Sequence, residues 1–430
     1  MNYFERFKLR WNIQSNKQLV IVFTAFGVAG FSTLGVKKIL LPLLGVTPET
    51  PLYLKIAAEV LIILPAYQVL LIIVGSIFGQ YRFFKRFLRK MFFLDRKKKG
   101  AIEKISTLTS DIKTAILIVN TGTPRSSSWS HVAQFLFRFL NDKRVIDLPF
   151  ISRTLLVTGF IIPFRLLKST RRYRLLMKNS TPPLLRHTQD VAARLNERLP
   201  ENMHAFYAMR YSRPSLKEAL SEIEKAGYEK IILIPQFPQY AEATTGSILA
   251  EVRRLSRKMT TPIPAKVADQ FYRHSSYINA LSNSVRPYLK QNFDHIIFSF
   301  HSLPLRQANK TINTNACYRS TCCKTASLTA QELGLKNSDY SVCYQSKLSH
   351  GWLGPFIENA LISLAKRGKE RVLIVAPSFV ADCLETNIEL ALEIQDLFIR
   401  HGGQQLEVVP CLNSSPLWIQ ALLQLIQEQR

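Results

Sequence analysis

The chain has 430 residues, a length that predicts two or three domains, or one large domain with an appendage. Its 57 Lys and Arg residues outnumber 30 Asp and Glu residues, which gives a formal net charge of +27. The length excludes a small disulfide-dependent scaffold. The 6 cysteines, together with an N-terminus unlike a secretory signal, favour a reducing compartment.

Two uncharged stretches come first along the chain, at residues 19–36 and 60–78. Each is about long enough to cross a bilayer as a helix, so together they predict a transmembrane hairpin; two buried core helices are the alternative. Lys and Arg gather on both outer flanks, which predicts that both ends of the hairpin are cytoplasmic. The second flank interleaves Phe, Leu and Met with Arg and Lys, as in helices at an anionic headgroup layer. Membrane lipid, rather than nucleic acid, is therefore the expected partner of the basic region.

From residue 111 onward, short apolar runs alternate with amphipathic segments of helical length. Six runs predict strands, namely TAILIVN, HAFYAMRY, KIILIPQF, HIIFSF, RVLIVAPSF and LEVVPCL. Continuous apolar strands separated by helices predict parallel sheets that are covered on both faces. We therefore expect an α/β protein with two similar, doubly wound, Rossmann-like lobes at residues 111–265 and 266–430, after a membrane segment at residues 1–100.

Ligands of open parallel sheets bind at the carboxyl ends of the strands, so the residues that follow each run are the candidate site. They include Arg210 and Tyr211, the segment at 235–247, His301 and Glu385. The NTGTP turn after the first run lacks the glycine spacing of a dinucleotide fingerprint, and no Walker lysine motif is present. Nucleotide binding is therefore not indicated.

Three carboxylates recur every four residues after the fifth run, at Glu385, Glu389 and Glu393. This spacing aligns them on one face of a helix, where like charges are destabilising without a compensating cation. One interpretation is a solvated acidic face. The other is a path for a divalent cation toward a site that these acids share with His301. We call these three glutamates the acid row.

Four of the cysteines follow the spacing C-x4-C-C-x19-C, at Cys317, Cys322, Cys323 and Cys343. The pattern is neither that of a zinc ribbon nor a standard ferredoxin spacing. A metal or cluster site, a disulfide framework and four buried thiols all remain open on spacing alone.

Seven motifs in order resemble the ferrochelatase family, which inserts ferrous iron into a porphyrin. They are ILIVNTGTP, YAMRYSRPSLKEAL, PQFPQYAEATTGS, FSFHSLP, YQSKL, WLGPFIENAL and PSFVADCLETNIEL. The resemblance covers residues 112 to 425 and implies a two-lobed fold of the class II chelatase type with the porphyrin between the lobes. It does not include the N-terminal hairpin.

The resemblance also implies roles for individual residues. His301 and Glu385 match the catalytic pair, and they join Glu389 and Glu393 as expected contacts of the iron substrate. The residues that match the porphyrin-binding walls are Arg165, Arg210, Tyr211, Tyr240, Thr244, Thr245, Ser247 and Trp352. For Cys317, Cys322, Cys323 and Cys343 it implies a 2Fe-2S cluster, since some bacterial members place all four ligands after the histidine loop.

The expected activity is insertion of ferrous iron into protoporphyrin IX at the cytoplasmic face of the inner membrane, which forms protohaem. Three alternatives are a chelatase for coproporphyrin III, a cobalt or nickel chelatase for another tetrapyrrole, and a non-catalytic membrane carrier of haem or porphyrin. The sequence makes no prediction about the oligomeric state.

Overall fold

The structure is a computed structural model of the chain. It describes residues 16–43, 50, 67, 70–74, 76–81, 84, 112–178, 181–268, 270–311 and 314–429. The chain forms two compact units, Met1–Ile105 and Ser106–Arg430, and each is described by itself.

The N-terminal unit contains helix α1 (Asn16–Leu43), which includes the first uncharged stretch. Its Val22, Ala25 and Ala29 are buried in one apolar cluster with Leu71 and Phe84. Of the second predicted span, only residues 67, 70–74 and 76–78 are among those described. Much of the second predicted span, and most of the basic flanks of the hairpin, therefore lie outside the described residues.

The second unit is built on two four-stranded sheets. The strands are β1 (Thr114–Asn120), β2 (Met203–Met209), β3 (Lys230–Pro235), β4 (Ala265–Val267), β5 (His295–His301), β6 (Tyr340–Gln345), β7 (Arg371–Val375) and β8 (Gln405–Val408). The strand orders are β2-β1-β3-β4 and β6-β5-β7-β8, and every pairing is parallel. The two lobes thus share one topology, as the α/β prediction required. The predicted lobe boundary at residue 265 stays a prediction.

Helices connect the strands and cover both faces of each sheet. They are α2 (Trp129–Leu140), α3 (Phe150–Leu156), α4 (Ile162–Met177), α5 (Pro183–Asn196), α6 (Leu216–Lys225), α7 (Ser247–Ser256), α8 (Ser275–Leu289), α9 (Leu305–Ala308), α10 (Tyr318–Leu333), α11 (Ile357–Lys366), α12 (Gln395–Arg400) and α13 (Pro416–Glu428). Local sequence sets their ends; α6, for example, begins with a capping box between Ser215 and Glu218.

Three further segments have the wider hydrogen-bond pattern of a π-helix, at Val157–Ile161, Glu242–Gly246 and Glu385–Ile394. The last two follow the third strand of each sheet, so they occupy equivalent places in the two lobes. The acid row therefore lies on a π-helix, where the sequence predicted an ordinary helix.

One apolar core belongs to both sheets. Alternate residues of β1 face opposite sides, so that Ile116 and Ile118 enter a large cluster while Leu117 enters a separate one. Phe298 and Phe300 of β5 lie in the same large cluster as Ile116 and Ile118. The two lobes are therefore packed around a shared interior.

Helices α3 and α4, with the π-helical turn between them, present a mostly apolar surface to solvent. Phe164 is 82% exposed and Ile151 is 72% exposed. Among the described residues, Phe150–Met177 is the one helix that is long and apolar enough to cross a membrane, by length and composition alone. The sequence interpretation did not identify this surface.

Candidate active site

His301 ends strand β5, and three contacts fix the backbone and ring there. The hydroxyl of Tyr318 donates to its carbonyl oxygen at 2.8 Å, and its own amide donates to Ser378 Oγ at 3.3 Å. The ring Nδ1 lies 2.6 Å from the carbonyl oxygen of Ser302. Because a carbonyl oxygen only accepts, Nδ1 carries the proton, and a neutral ring then leaves Nε2 with a free lone pair.

Glu389, a member of the acid row, lies near this histidine and near Glu385. Burial raises the pKa of Glu389, and the charge of Glu385 raises it further. A hydrogen bond from Ser346 and the nearby His301 and Arg172 act in the opposite direction. His301 and Glu385 therefore both lie close enough to Glu389 to change the pKa of its carboxyl.

Glu393, the third member of the acid row, is engaged elsewhere. Arg172 of α4 donates from Nε to Glu393 Oε1 at 2.6 Å, and its Nη2 donates to the second carboxylate oxygen. Arg165 lies seven residues earlier on the same helix. Burial lowers the pKa of Arg165, as does the charge of Arg172, while Glu389 raises it. Helix α4 therefore sets two guanidinium groups against the acid row.

A second network, formed by residues that match a porphyrin-binding wall, is centred on Asp142, just after α2. One oxygen of its carboxylate, Oδ2, accepts hydrogen bonds from Ser247 at 2.6 Å, Arg210 at 2.8 Å and Tyr211 at 3.0 Å. Arg210 also donates to Ser247 Oγ at 2.8 Å, and its guanidinium lies 4.6 Å from the centre of the Tyr211 ring. The structure thus joins three of the predicted residues through a fourth.

Asp142 was missed by sequence reasoning because it follows a helix rather than a strand and belongs to none of the motifs. Burial alone would raise the pKa of its carboxyl. The hydrogen bond from Ser247, the backbone amide of Arg144 and the charge of Arg210 outweigh burial and lower it. Burial and the Asp142 charge also raise the pKa of Tyr211. Asp142 is therefore an ionised anchor that holds Arg210 and Tyr211 in place.

The segment after β3 contributes the remaining predicted residues of this wall. Tyr240 donates to Glu242 Oε1 at 2.9 Å, and burial together with this contact raises its pKa to about 12. The hydroxyl of Thr244 donates to the carbonyl of Ala241 at 3.3 Å. The hydroxyl of Thr245 is buried and has no hydrogen-bond partner among the residues that the structure describes.

Trp352 lies beside the histidine loop. Its backbone forms an antiparallel bridge with Pro304, and the amide of Leu353 donates to the carbonyl of Leu303 at 2.9 Å. The side chain of Trp352 is half-buried. The predicted tryptophan segment therefore braces the turn that follows His301.

The structure does not show the four predicted cluster cysteines as one ligand set, and the cluster stays a prediction. Cys317, Cys322 and Cys323 lie at the start of α10, and Cys322 is buried in the shared core beside Tyr344. Cys343 precedes Tyr344 on β6 and enters the core on the opposite face of the sheet. No group of His, Cys, Asp or Glu suited to a metal ion occurs among the described residues. The structure contains no disulfide between these cysteines.

Known proteins that resemble this chain identify its family. A model of the ferrochelatase family matches residues 113–430, and one for a family of unknown function, DUF6787, matches residues 21–97. Ferrochelatase from Pseudomonas putida is 35% identical over 335 residues, covering 73% of this chain and 98% of that protein. Ferrochelatase from Bdellovibrio bacteriovorus is 35% identical over 331 residues, covering 73% and 99%. The solved structure of SirB from Bacillus subtilis with Fe3+ is 12% identical, with a TM-score of 0.46, and covers 74% of this chain and 96% of that one. By its family match and its curated relatives, the chain belongs to the ferrochelatase family.

Proposed function

We propose that the protein inserts ferrous iron into protoporphyrin IX and so forms protohaem, the last step of haem synthesis. The observation that carries this proposal is that His301, whose Nε2 is free, and Glu385 both act on the pKa of the buried Glu389. Membership of the ferrochelatase family supports the same reaction.

The proposed chemistry follows from what metallation requires. Two pyrrole N–H protons must leave, and a partly dehydrated ferrous ion must reach the pyrrole nitrogens. Neutral His301 accepts a proton or contacts the iron through Nε2, and Glu385 supplies the complementary carboxylate. Glu389, whose pKa is raised by burial, is suited to pass protons on rather than to remain a fixed charge.

We assign the porphyrin to the space between this group and the wall around Asp142. Arg210, Tyr211 and Ser247 are joined through Asp142 and support the wall from inside, while the half-buried Tyr240 offers aromatic surface and Trp352 borders the histidine loop. Arg165 is partly desolvated and is a cation suited to a porphyrin carboxylate. Thr244 is half-buried, and Thr245 and Ser247 are buried.

The decisive experiment is an anaerobic metallation assay with His301→Ala and Glu385→Gln. Each change is expected to reduce the rate of haem formation at least about a thousandfold, which is the typical effect of losing a general acid–base group or an electrostatic stabiliser. Porphyrin binding, measured by fluorescence, should remain. His401→Ala alters an exposed histidine at the end of α12 and is the matched control. Turnover by His301→Ala at the wild-type rate would contradict the assignment.

The same assay separates the alternatives. Faster turnover with coproporphyrin III, or with cobalt or nickel in place of iron, would identify a different chelatase. Porphyrin binding without turnover by the unaltered protein would identify a carrier.

We further propose that the enzyme acts at the cytoplasmic face of a membrane. Two observations support contact with lipid: the uncharged stretches of the N-terminal unit, and the exposed apolar surface of α3 and α4, which also carries exposed Lys168 and Arg171. Aromatic and basic side chains together suit an anionic headgroup layer. The test places a fluorescent tryptophan in the full-length protein in nanodiscs. Lipid-attached quenchers should reduce the added fluorescence of Phe164→Trp and should leave that of Leu348→Trp unchanged.

The 2Fe-2S cluster implied by the family resemblance does not fit the described arrangement, because Cys322 of α10 and Cys343 of β6 are buried in two different core clusters. No step of the proposed reaction is therefore assigned to a cluster. Iron and acid-labile sulfide analysis of the pure protein tests this point. Stoichiometric sulfide that is lost in both Cys322→Ser and Cys343→Ser would show that the four cysteines rearrange around a cluster.

A further inference from the structure

The ion pair between Arg172 and Glu393 joins the two lobes beside the proposed iron site. Arg172 belongs to α4, which precedes β2 of the first sheet, and Glu393 belongs to the π-helix after β7 of the second. Both oxygens of the carboxylate are engaged by the guanidinium. Bidentate pairs of this kind are stronger and more directional than single contacts.

The pair makes Glu393 a weaker ligand for a metal ion. A hard divalent cation binds through carboxylate oxygens, and its affinity increases with the number of free negative ligands. With Arg172 in place, each oxygen of Glu393 accepts one hydrogen bond and the charge of the carboxylate is compensated. A cation that reaches this end of the acid row therefore competes with the guanidinium for Glu393.

The position of the pair makes such an exchange feasible. The side chain of Arg172 retains 21% of its exposure and that of Glu393 retains 39%, so water and ions reach both groups. Glu389, the next acid inward, is more deeply buried and is held by Ser346 at 2.8 Å. The charge of Arg172 also lowers the pKa of Glu389, so it acts on two members of the acid row.

We infer that Arg172 is a positioning residue that acts as a tethered counter-ion, competing with ferrous iron for Glu393 and so setting how tightly the acid row holds the metal. This inference rests on the proposed iron-insertion function. An ion held too tightly by three free carboxylates would not move on to the porphyrin, and the guanidinium prevents that. Release of Arg172 by the metal would also break this ion pair between α4 and the π-helix.

The test compares Arg172→Gln with the unaltered full-length protein. We expect the KM for ferrous iron to fall on the order of tenfold, because one positive charge beside the site is removed. We expect kcat to fall as well, because the more tightly held ion leaves the acid row more slowly. Affinity for Mn2+, measured without porphyrin by electron paramagnetic resonance of the free ion, should rise by a similar factor. A merely structural role would not tighten metal binding.

Two controls isolate the cause. Arg172→Lys keeps the charge but not the bidentate contact, so its Mn2+ affinity should lie between those of the wild type and Arg172→Gln. Arg174→Gln removes a charge two residues away, on a different side of α4, and should change neither quantity. In a Glu393→Gln background the further change Arg172→Gln should give little additional Mn2+ affinity. A gain of equal size in that background would overturn the inference, since Arg172 would then act only through overall charge.

The Mn2+ measurement also separates this inference from the proposed reaction. Unchanged or weaker Mn2+ binding in Arg172→Gln, in a protein that still forms haem, would refute the counter-ion role and leave the reaction standing. Tighter Mn2+ binding in a protein that forms no haem would refute the reaction and leave a regulated cation site.

Discussion

The hydroxyl of Ser346 lies 2.8 Å from each carboxylate oxygen of Glu389. This contact joins the end of β6 to the π-helix that follows β7. In the first lobe, Arg210 and Ser247 make the corresponding contact, because Arg210 follows β2 and Ser247 follows the π-helical segment after β3. The shared strand order thus places equivalent segments in contact in both lobes. Glu389 of the second lobe occupies the place that Ser247 has in the first.

We expect Glu389→Gln to stabilise the folded protein near neutral pH. Burial raises the pKa of Glu389 above its ordinary value of 4.5, so folding favours the protonated acid. The stability that this proton contributes is complete below 4.5 and is lost as the pH rises through the raised pKa of the folded state. Denaturant unfolding across the acid to neutral range should therefore show a gain for the variant that grows with pH. A difference independent of pH would contradict the assigned cause.

Asp142→Asn should destabilise the first lobe by about 3 kcal/mol at neutral pH, since it removes the charge that satisfies the partly buried Arg210. The folded pKa of Asp142 is lowered from 3.8, so its contribution is present above that value and is lost as the pH falls through the lower, folded pKa. The difference between variant and wild type should accordingly shrink in strong acid. Glu251→Gln, which affects a neighbouring carboxylate paired with Arg254, is the control and should cost less than about 1 kcal/mol.

Gly122→Ala should destabilise the protein by about 2 kcal/mol. Gly122 has a φ of +105°, and an added Cβ would lie 2.5 Å from Ser212 Oγ and 3.2 Å from the Ser212 backbone nitrogen. Gly159 is the matched control, because nothing lies within 4 Å of its Cβ position and its φ is helical. Gly159→Ala is expected to be neutral or stabilising in the same unfolding measurement. Equal losses for both would show that backbone geometry is not the cause.

Among Cys322, Cys323 and Cys343, the exposed Cys323 should react first with a charged thiol reagent. Burial raises the pKa of Cys322, and it raises that of Cys343 to about 11, so neither presents a reactive thiolate. Mass spectrometry of the modified peptides measures the order. Rapid native-state modification of Cys343 would show that the β6 face opens far more readily than its packing indicates.

The fold was largely predictable from sequence, because continuous apolar runs leave little alternative to buried parallel strands. The run TAILIVN coincides with β1, and HIIFSF lies within β5. Strand β6 was missed since its sequence, YSVCYQ, mixes polar residues with a cysteine whose burial depends on helices from distant parts of the chain. Strand β4 was missed because it has only 3 residues and is largely exposed.

The sequence predicted the site residues that lie at the ends of strands, but it did not predict those that come from helices. His301, Arg210 and Tyr211 follow strands, so topology alone points to them. Asp142 and Arg172 reach the site from helices whose placement depends on tertiary packing, and no local pattern distinguishes them from surface charges. The cysteine spacing likewise does not report which side of the second sheet each thiol occupies, so the cluster stays a prediction.

The shared core sets a limit on how the protein admits a flat macrocycle. A hinge motion that separated the lobes would expose Ile118 and Phe298 together, at about 25 cal/mol for each square ångström of apolar surface. Domain closure of the kind seen in two-lobed binding proteins is therefore unfavourable here. Access is left to segments outside that core, and α4 is the one that the Arg172 ion pair fastens to the opposite lobe.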